Sequence, residues 1–422
     1  MQQPRLARRL GLGDAVVIGL GSMIGAGVFA AFTPAAAAAG SGLLVGLALA
    51  AAVAWANATS SAQLAAQYPE SGGTYVYGRE RLGDTWGFAA GWCFVVGKTA
   101  SCAAMAMTAA TYALGGPARA VPVVAMLVVL GLSWVLIRGI SKTARLARVL
   151  LAITLLALLT TLAVILVANR QWTSPLAGGA GTVGGEPAAY GILQSAGLLF
   201  FAFAGYARIA TLGEEVREPG RTIPRAITRA LAIVIGLYAA VALVLLATIG
   251  AAGIARSPLP LLAAAEHAGV SWIGALLRVG ATVAALGALL GLLSGVSRTA
   301  LAMARRRDLP GRLAAVDPVH QVPIVAQVAV AAAVLLLTLL ADVRHAIGFS
   351  SFGVLLYYAI ANAAAWTQPP EHRRWPRWVQ AAGVVGCVGL ALTLPWASVL
   401  AGVLVVGVGL AGRVVLHAQN PE

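Results

Sequence analysis

Apolar stretches long enough to cross a lipid bilayer follow one another along nearly the whole chain. Hydropathy predicts about twelve of them, at residues 15–37, 42–65, 86–113, 121–137, 149–168, 189–213, 230–252, 271–300, 323–341, 346–366, 379–394 and 396–412. Because 60% of the 422 residues are hydrophobic and only 10% are charged, one soluble core of ordinary size cannot bury this surface. The sequence therefore predicts an all-α membrane protein with about 12 transmembrane helices in the lipid bilayer.

The basic residues indicate how the chain is oriented. The formal charge is +15, and most Lys and Arg residues fall on the side of the N-terminus, whereas Arg119, Arg170, Arg256 and Arg344 fall on the other side. By the positive-inside rule, both termini are cytoplasmic in a multi-pass protein of the plasma (inner) membrane. Clusters of this kind set topology, so no nucleic-acid partner is expected. A cleaved signal peptide at the basic start is the alternative, against which Asp14 and the long glycine-interrupted run argue.

Glycines interrupt two of the predicted spans near their midpoints. The interruptions are Gly21-Ser22-Met23-Ile24-Gly25-Ala26-Gly27 in the first span and Phe203-Ala204-Gly205 in the sixth. Each glycine weakens a helix by about 1 kcal/mol relative to alanine, and unpaired backbone cannot face lipid. Broken helices that line a cavity are therefore expected. The competing interpretation is close helix packing, with Gly21 and Gly25 forming a GxxxG pair.

The two interruptions occupy corresponding positions if the chain contains two inverted repeats of five spans. An odd number of spans in each repeat gives the repeats opposite orientations. The predicted parts are a cytoplasmic tail at 1–14, a first repeat at 15–168, a second repeat at 189–366, two additional helices at 376–413 and a cytoplasmic tail at 414–422.

Three motifs resemble the amino acid, polyamine and organocation (APC) permease superfamily, and within it the bacterial cationic-amino-acid-transporter-like branch. The motifs are Gly21-Ser22-Met23-Ile24-Gly25-Ala26-Gly27-Val28-Phe29, Tyr68-Pro69-Glu70-Ser71-Gly72-Gly73-Thr74-Tyr75, and Phe200-Phe201-Ala202-Phe203 through Gly213-Glu214-Glu215-Val216 into Pro219 and Pro224. The resemblance covers about residues 10–415. It implies a five-plus-five inverted repeat with discontinuous helices 1 and 6 and two extra helices.

The resemblance also implies a binding site for an amino acid at the two breaks. Its carboxylate would bind backbone N–H groups of the first break, and its amino group would bind carbonyls at the half-helix ends. A helix N-terminus favours the first of these contacts, because its dipole and free donors attract an anion. The implied substrate-binding residues are Ser22, Met23, Ile24, Gly25, Ala26, Gly27, Phe203, Ala204 and Gly205. Phe203 would also act as an aromatic gate, with a packing or lipid-facing phenylalanine as the alternative.

Lys98, Arg208 and Arg278 lie within predicted spans, and the first two are candidate functional residues. Lys98 lies near the middle of the third span, where a charge costs roughly 2.5–3.5 kcal/mol, and no Asp or Glu lies in any predicted span. Its candidate roles are a titrating group for proton coupling or a fixed substitute for a bound cation, against a structural, snorkelling lysine. Arg208 is either a charge-balancing group near the site or a snorkelling arginine paired with Glu214 or Glu215.

Two further features of the sequence refine the expected function. They are the charged cytoplasmic end of the sixth span and two positions at which this sequence differs from the branch that it resembles. Glu214 and Glu215 are candidate gate residues, or part of an ordinary solvated charge run. Thr154 and Ala207 stand where related proteins carry a lysine and an aspartate, so the roles of those residues are not carried over. Because buried cations without a carboxylate repel further positive charge, neutral amino acids are favoured over dibasic ones.

The sequence predicts a secondary active transporter and not an enzyme. All five histidines lie in loops or the tail, and the spans lack the acid and base groups of an intramembrane enzyme. No metal site or other cofactor is expected. The expected substrate is a neutral amino acid, a small molecule moved by alternating access as proton-coupled symport or exchange. An exporter or antiporter of amino acids or amines, and a non-transporting amino acid sensor, remain as alternatives.

Overall fold

The computed structural model describes residues 10–69, 72–138, 144–174, 188–212 and 215–419. These residues are almost entirely helical, and the extended pairing found among them is one bridge between Leu10 and Val216. Nine helices in the described part are long and apolar enough to cross a membrane, and three shorter apolar helices bring the total to the twelve predicted from sequence. The chain is therefore an all-α, multi-pass membrane protein.

Most spans are single helices, and their bounds lie within a few residues of the hydropathy prediction. In chain order the spans contain the helices Leu12–Met23, Ala26–Ala30 and Phe32–Ala39 (first), Leu43–Gln67 (second), Asp84–Leu114 (third), Val121–Ile137 (fourth), Ala144–Ala168 (fifth), Ala188–Phe203 and Ala207–Ala210 (sixth), Pro219–Arg256 (seventh), Gly274–Arg305 (eighth), Ile324–Leu340 (ninth), Val343–Trp366 (tenth), Arg377–Leu392 (eleventh) and Trp396–Gln419 (twelfth). Two further helices, Thr74–Leu82 and Pro260–His267, connect spans.

Spans one to five and spans six to ten make equivalent packing contacts. The third span packs against the tenth, and the eighth packs against the fifth in the corresponding way. The second span packs against the sixth as the seventh packs against the first, and the third and eighth spans pack against each other. This reciprocity is the arrangement of a five-plus-five inverted repeat. The eleventh and twelfth spans lie outside it, against the tenth.

Short-range signals determine where several helices begin and end. The side chain of Asp342 accepts a hydrogen bond from the backbone N–H of His345 (2.7 Å), so the tenth span begins at Val343. Gly115, with φ at 80°, ends the third span in the left-handed conformation that glycine adopts without strain. Arg278 of the eighth span then donates to the carbonyls of Tyr112 and Ala113. This arginine caps a helix end, because its charge compensates the negative pole there.

A buried aspartate joins distant segments at the face where the described chain begins. Asp308 is 1% exposed and accepts hydrogen bonds from Tyr75 (2.7 Å), Arg79 (3.0 Å) and Arg413 (3.1 Å). Burial and the neighbouring carboxylate raise the pKa of the Tyr75 hydroxyl, which therefore stays protonated and donates. We call Asp308, Tyr75, Arg79 and Arg413 the aspartate junction. It ties the connecting helix Thr74–Leu82 to the end of the eighth span and to the twelfth.

Candidate functional site

The first span is broken at Ile24 and Gly25, as the glycine pattern predicts. The helix ends at Met23 and resumes at Ala26, and Gly25 has a non-helical backbone (φ −96°, ψ −132°). The N–H of Ile24 donates to Leu20 (2.7 Å) in the first half-helix. This bond corrects the expectation that Ile24 offers a free donor. For Gly25, Ala26 and Gly27, no backbone acceptor for the N–H is found among the described residues.

The sixth span departs from a regular helix in a different way. Its helix ends at Phe203, a 3₁₀ turn covers Ala204–Tyr206, and a short helix follows at Ala207–Ala210. The chain is therefore tightened at the predicted break and not opened into extended backbone. A tighter turn moves the end of the helix out of register, so that its carbonyls face neighbouring spans.

The glycines of the two breaks allow the two spans to touch. A Cβ at Gly205 would overlap the Ser22 carbonyl and lie 2.6 Å from the Met23 nitrogen. A Cβ at Gly27 would lie 2.6 Å from two atoms of Ala202. No real Cβ atom tolerates such approaches, so only glycine permits this packing. A Cβ at Gly21, by contrast, would have no neighbour within 4 Å, so Gly21 does not pack as the competing GxxxG interpretation requires.

Polar side chains from neighbouring spans hold the carbonyls at the breaks. Tyr238 of the seventh span donates to Met23 (2.6 Å) and Ala202 (3.1 Å), and thus bridges the first and sixth spans. Lys98 Nζ donates to the Ala204 carbonyl (3.1 Å), which also accepts from Tyr358 of the tenth span (3.4 Å). Sequence reasoning missed both tyrosines. The available signal was a tyrosine in an apolar span, whose hydroxyl needs a partner when buried.

Lys98 lies where the sequence predicts it, deep in the protein. Its side chain is 4% exposed, and it forms no ion pair with any carboxylate in the ranges that the structure describes. Its hydrogen-bond partner is the backbone carbonyl of Ala204. Thr99 bonds within its own helix, and Ser101 pairs with Ser350 (2.6 Å). The ammonium group is therefore directed at the sixth-span break.

Phe203 is fully buried beside Tyr238 of the seventh span. Its ring lies 5.1 Å from the ring of Tyr238, at an angle of 58°. It lines neither of the two cavities described below. In this conformation the residue packs between the sixth and seventh spans, and its role as a gate remains a prediction.

One cavity extends from the break in the first span to the side of the protein where Leu10 lies. It has a volume of about 420 Å³ and is lined at the break by Gly21, Ser22 and Ile24. Thr154 of the fifth span and Ser294 and Ser297 of the eighth also line it. Ser350 and Ser351 do not line it.

Charged groups stand around the same cavity. Arg208, Glu215 and Arg298 line it. Arg208 donates to Thr211 (2.9 Å) on its own segment, and the expected ion pair between Arg208 and Glu215 is not formed. Glu214, the other predicted partner and gate residue, lies outside the described residues.

A second cavity lies on the other side of the breaks. Its volume is about 380 Å³, and it is lined by Phe29, Thr33, Thr108, Tyr112 and Asp342. The first cavity contacts the first span at residues 18–24 and the second contacts it at residues 29–37, on either side of the break. The packed contacts of Tyr238, Lys98 and Gly205 separate the two cavities. The two cavities thus lie on opposite sides of a packed centre.

Comparisons with known proteins agree with this architecture. A family model described as amino acid permease matches residues 14–411. An uncharacterized transporter of Mycobacterium tuberculosis is 58% identical over 406 residues, which cover 96% of this chain and 90% of the relative. A branched-chain amino acid permease of Bacillus subtilis is 26% identical (94% and 90% covered), and a vacuolar cationic amino acid transporter of Arabidopsis thaliana is 27% identical (84% and 62% covered).

Proposed function

Because this chain belongs to the amino acid permease family, we propose that it transports neutral α-amino acids through the plasma membrane by alternating access. The matched family and relatives are transporters, which confirms that the protein is an amino acid transporter and not an enzyme. The observation that carries the finer proposal is the first-span break, with three backbone donors in the packed centre between the two cavities. Both termini are proposed to be cytoplasmic, so the 420 Å³ cavity faces the cytoplasm.

The break offers what the two charged ends of a zwitterion require. The N–H groups of Gly25, Ala26 and Gly27 lie at the N-terminus of a half-helix and would donate to the carboxylate of the substrate. For the amino group, Met23 and Ala204 already accept hydrogen bonds from Tyr238 and Lys98, so the Ser22 and Phe203 carbonyls are the more available acceptors. A carbonyl oxygen has a second lone pair, so an ammonium group can also join those existing bonds.

The surroundings of the break favour a neutral side chain. The neighbours of Gly25 are the apolar side-chain carbons of Met105 and Ala288 and the backbone carbonyl oxygen of Ala284. Lys98 places a positive charge close by without a carboxylate partner in the described part of the chain. A second cation on the substrate would be repelled in this low-dielectric interior. Neutral amino acids with apolar side chains therefore fit better than lysine, arginine or polyamines.

Reconstitution into liposomes tests this proposal. We expect uptake of radiolabelled leucine, alanine or valine, competition by other neutral amino acids, and little competition by lysine or putrescine. Preferential uptake of lysine would overturn the neutral class. Binding seen as a rise in unfolding temperature, without movement of label in either direction, would identify a sensor and overturn transport. Counterflow between loaded and empty vesicles distinguishes exchange from net uptake.

Lys98 provides the test of proton coupling. Replacing Lys98 with Met removes a charge-assisted hydrogen bond to Ala204, which we expect to lower uptake about tenfold or more and to flatten its pH dependence. Lys98→Arg is the matched control, because arginine keeps the charge and does not titrate. If proton coupling runs through Lys98, both variants lose the pH dependence. If Lys98→Arg keeps the wild-type pH profile, the lysine only balances charge.

A further inference from the structure

The cytoplasmic cavity carries an excess of positive charge at a distance from the break. Arg208 follows the sixth-span break by three residues, and Arg298 belongs to the eighth span across the cavity. Glu215 is the only acidic residue that lines the cavity in the described part of the chain. Among the described residues, the lining of the cavity therefore carries two guanidinium groups and one carboxylate.

Neither arginine forms a close ion pair with a described residue, although the carboxylate of Glu215 and the guanidinium of Arg298 both lie near enough to act on the charge of Arg208. Arg208 is half-buried and donates one hydrogen bond, to the neutral hydroxyl of Thr211. Arg298 is exposed, and neither arginine forms an ion pair with a carboxylate in the described ranges. A guanidinium has five N–H donors in a planar fork that matches a carboxylate. Most of the donor capacity around this cavity is therefore available to a ligand.

A buried amide adds a neutral donor on the wall nearest the ninth span. Gln327 is 4% exposed, and its side-chain oxygen accepts from Ser297 (2.9 Å). Its amide nitrogen has no partner among the described residues, although Gln327 lines the cavity. A buried donor without a partner costs free energy, which a ligand acceptor would relieve.

We propose that Arg208 and Arg298 form a second subsite, which holds the carboxylate of an amino acid between the break and the cytoplasm. The inference rests on the proposed function, because it places this subsite on the substrate's path. The cavity volume of about 420 Å³ lies within the range of about 300–1,000 Å³ typical of small-molecule sites. Recognition here depends on the carboxylate, whereas the break also recognises the amino group.

The test uses 3-methylbutanoate, a carboxylate that lacks an amino group, with the full-length protein in lipid nanodiscs. The unfolding temperature is measured against sodium chloride of equal ionic strength. Gly27→Ala is used as the background, because its methyl group would lie 2.6 Å from two atoms of Ala202 and so disrupt the substrate site at the break, whereas Gly27 does not line the cavity. We expect stabilisation by 3-methylbutanoate in this background, with the apparent dissociation constant raised about tenfold by Arg298→Gln or Arg208→Gln. Arg305→Gln, seven residues along the same helix and outside the cavity, should have no effect.

Sided inhibition in proteoliposomes provides the second measurement, which uses the wild-type break. Applied from the cytoplasmic face, 3-methylbutanoate should inhibit leucine transport by wild type and Arg305→Gln, but not by Arg298→Gln. Equal inhibition in all three proteins, or equal stabilisation by chloride, would overturn the subsite. If no amino acid is transported but carboxylate stabilisation still depends on Arg298, then the proposed function fails and the subsite stands.

Discussion

Replacing Gly205 with Ala is expected to reduce transport about 100-fold, because the new methyl group has no space. In the structure, a Cβ at this position overlaps the Ser22 carbonyl and lies 2.6 Å from the Met23 nitrogen. Those atoms are backbone, so no side-chain rotation relieves the contact. The first and sixth spans must separate at the point where the substrate binds. Initial uptake rates in proteoliposomes, normalised to the amount of folded protein, measure the effect.

Gly236→Ala is the control for this substitution. Gly236 lies in the interior of the seventh span, and a Cβ there has no neighbour within 4 Å. Alanine is the better helix former by about 1 kcal/mol, so this variant should keep full transport and equal or greater stability. Wild-type transport by Gly205→Ala would show that the two spans need not touch at Gly205 for function.

Replacing Asp308 with Asn is expected to cost about 3–5 kcal/mol of stability, since it leaves two arginines without their buried counter-charge. Asp308 is 1% exposed, while Arg79 and Arg413 are 20% and 13% exposed. Asparagine has nearly the same shape, so the loss reports charge and not packing. The midpoint of SDS-induced unfolding in mixed micelles, followed by tryptophan fluorescence, provides the measurement.

Asp84→Asn separates burial from charge in the same experiment. Asp84 contacts Arg79 at 2.8 Å, but its side chain is 62% exposed. An exposed ion pair contributes about 0–1 kcal/mol, so this variant should shift the midpoint little. Similar shifts for Asp308→Asn and Asp84→Asn would contradict the assignment of the aspartate junction as a buried structural centre.

The spans and the first break could be predicted because their signals are local. Hydropathy identified each apolar stretch, and the glycines around Gly25 marked the position of the break in the first span. The form of the sixth break was less accessible, since Gly205 alone does not distinguish a 3₁₀ turn from open backbone. The difference depends on how closely Ser22 approaches, which is a contact between residues 183 positions apart in the printed sequence.

Contacts between distant segments could not be predicted from periodicity. The aspartate junction joins residues that hydropathy assigns to separate loops and to the last span, and no local pattern pairs Asp308 with Arg413. Tyr238 was overlooked for the same reason, since its two acceptors belong to other spans. The pairing expected for Arg208 followed helix spacing to Glu215, but the chain leaves the helix at Thr211 before that residue.

The hydroxyl of Tyr238 contains one hydrogen atom and faces two acceptors, Met23 at 2.6 Å and Ala202 at 3.1 Å. A rotation about one C–O bond therefore transfers the hydrogen bond from one discontinuous helix to the other, while the phenol oxygen keeps its position. Because Met23 belongs to the first span and Ala202 to the sixth, either span can move away from Tyr238 while the other still accepts the hydrogen bond.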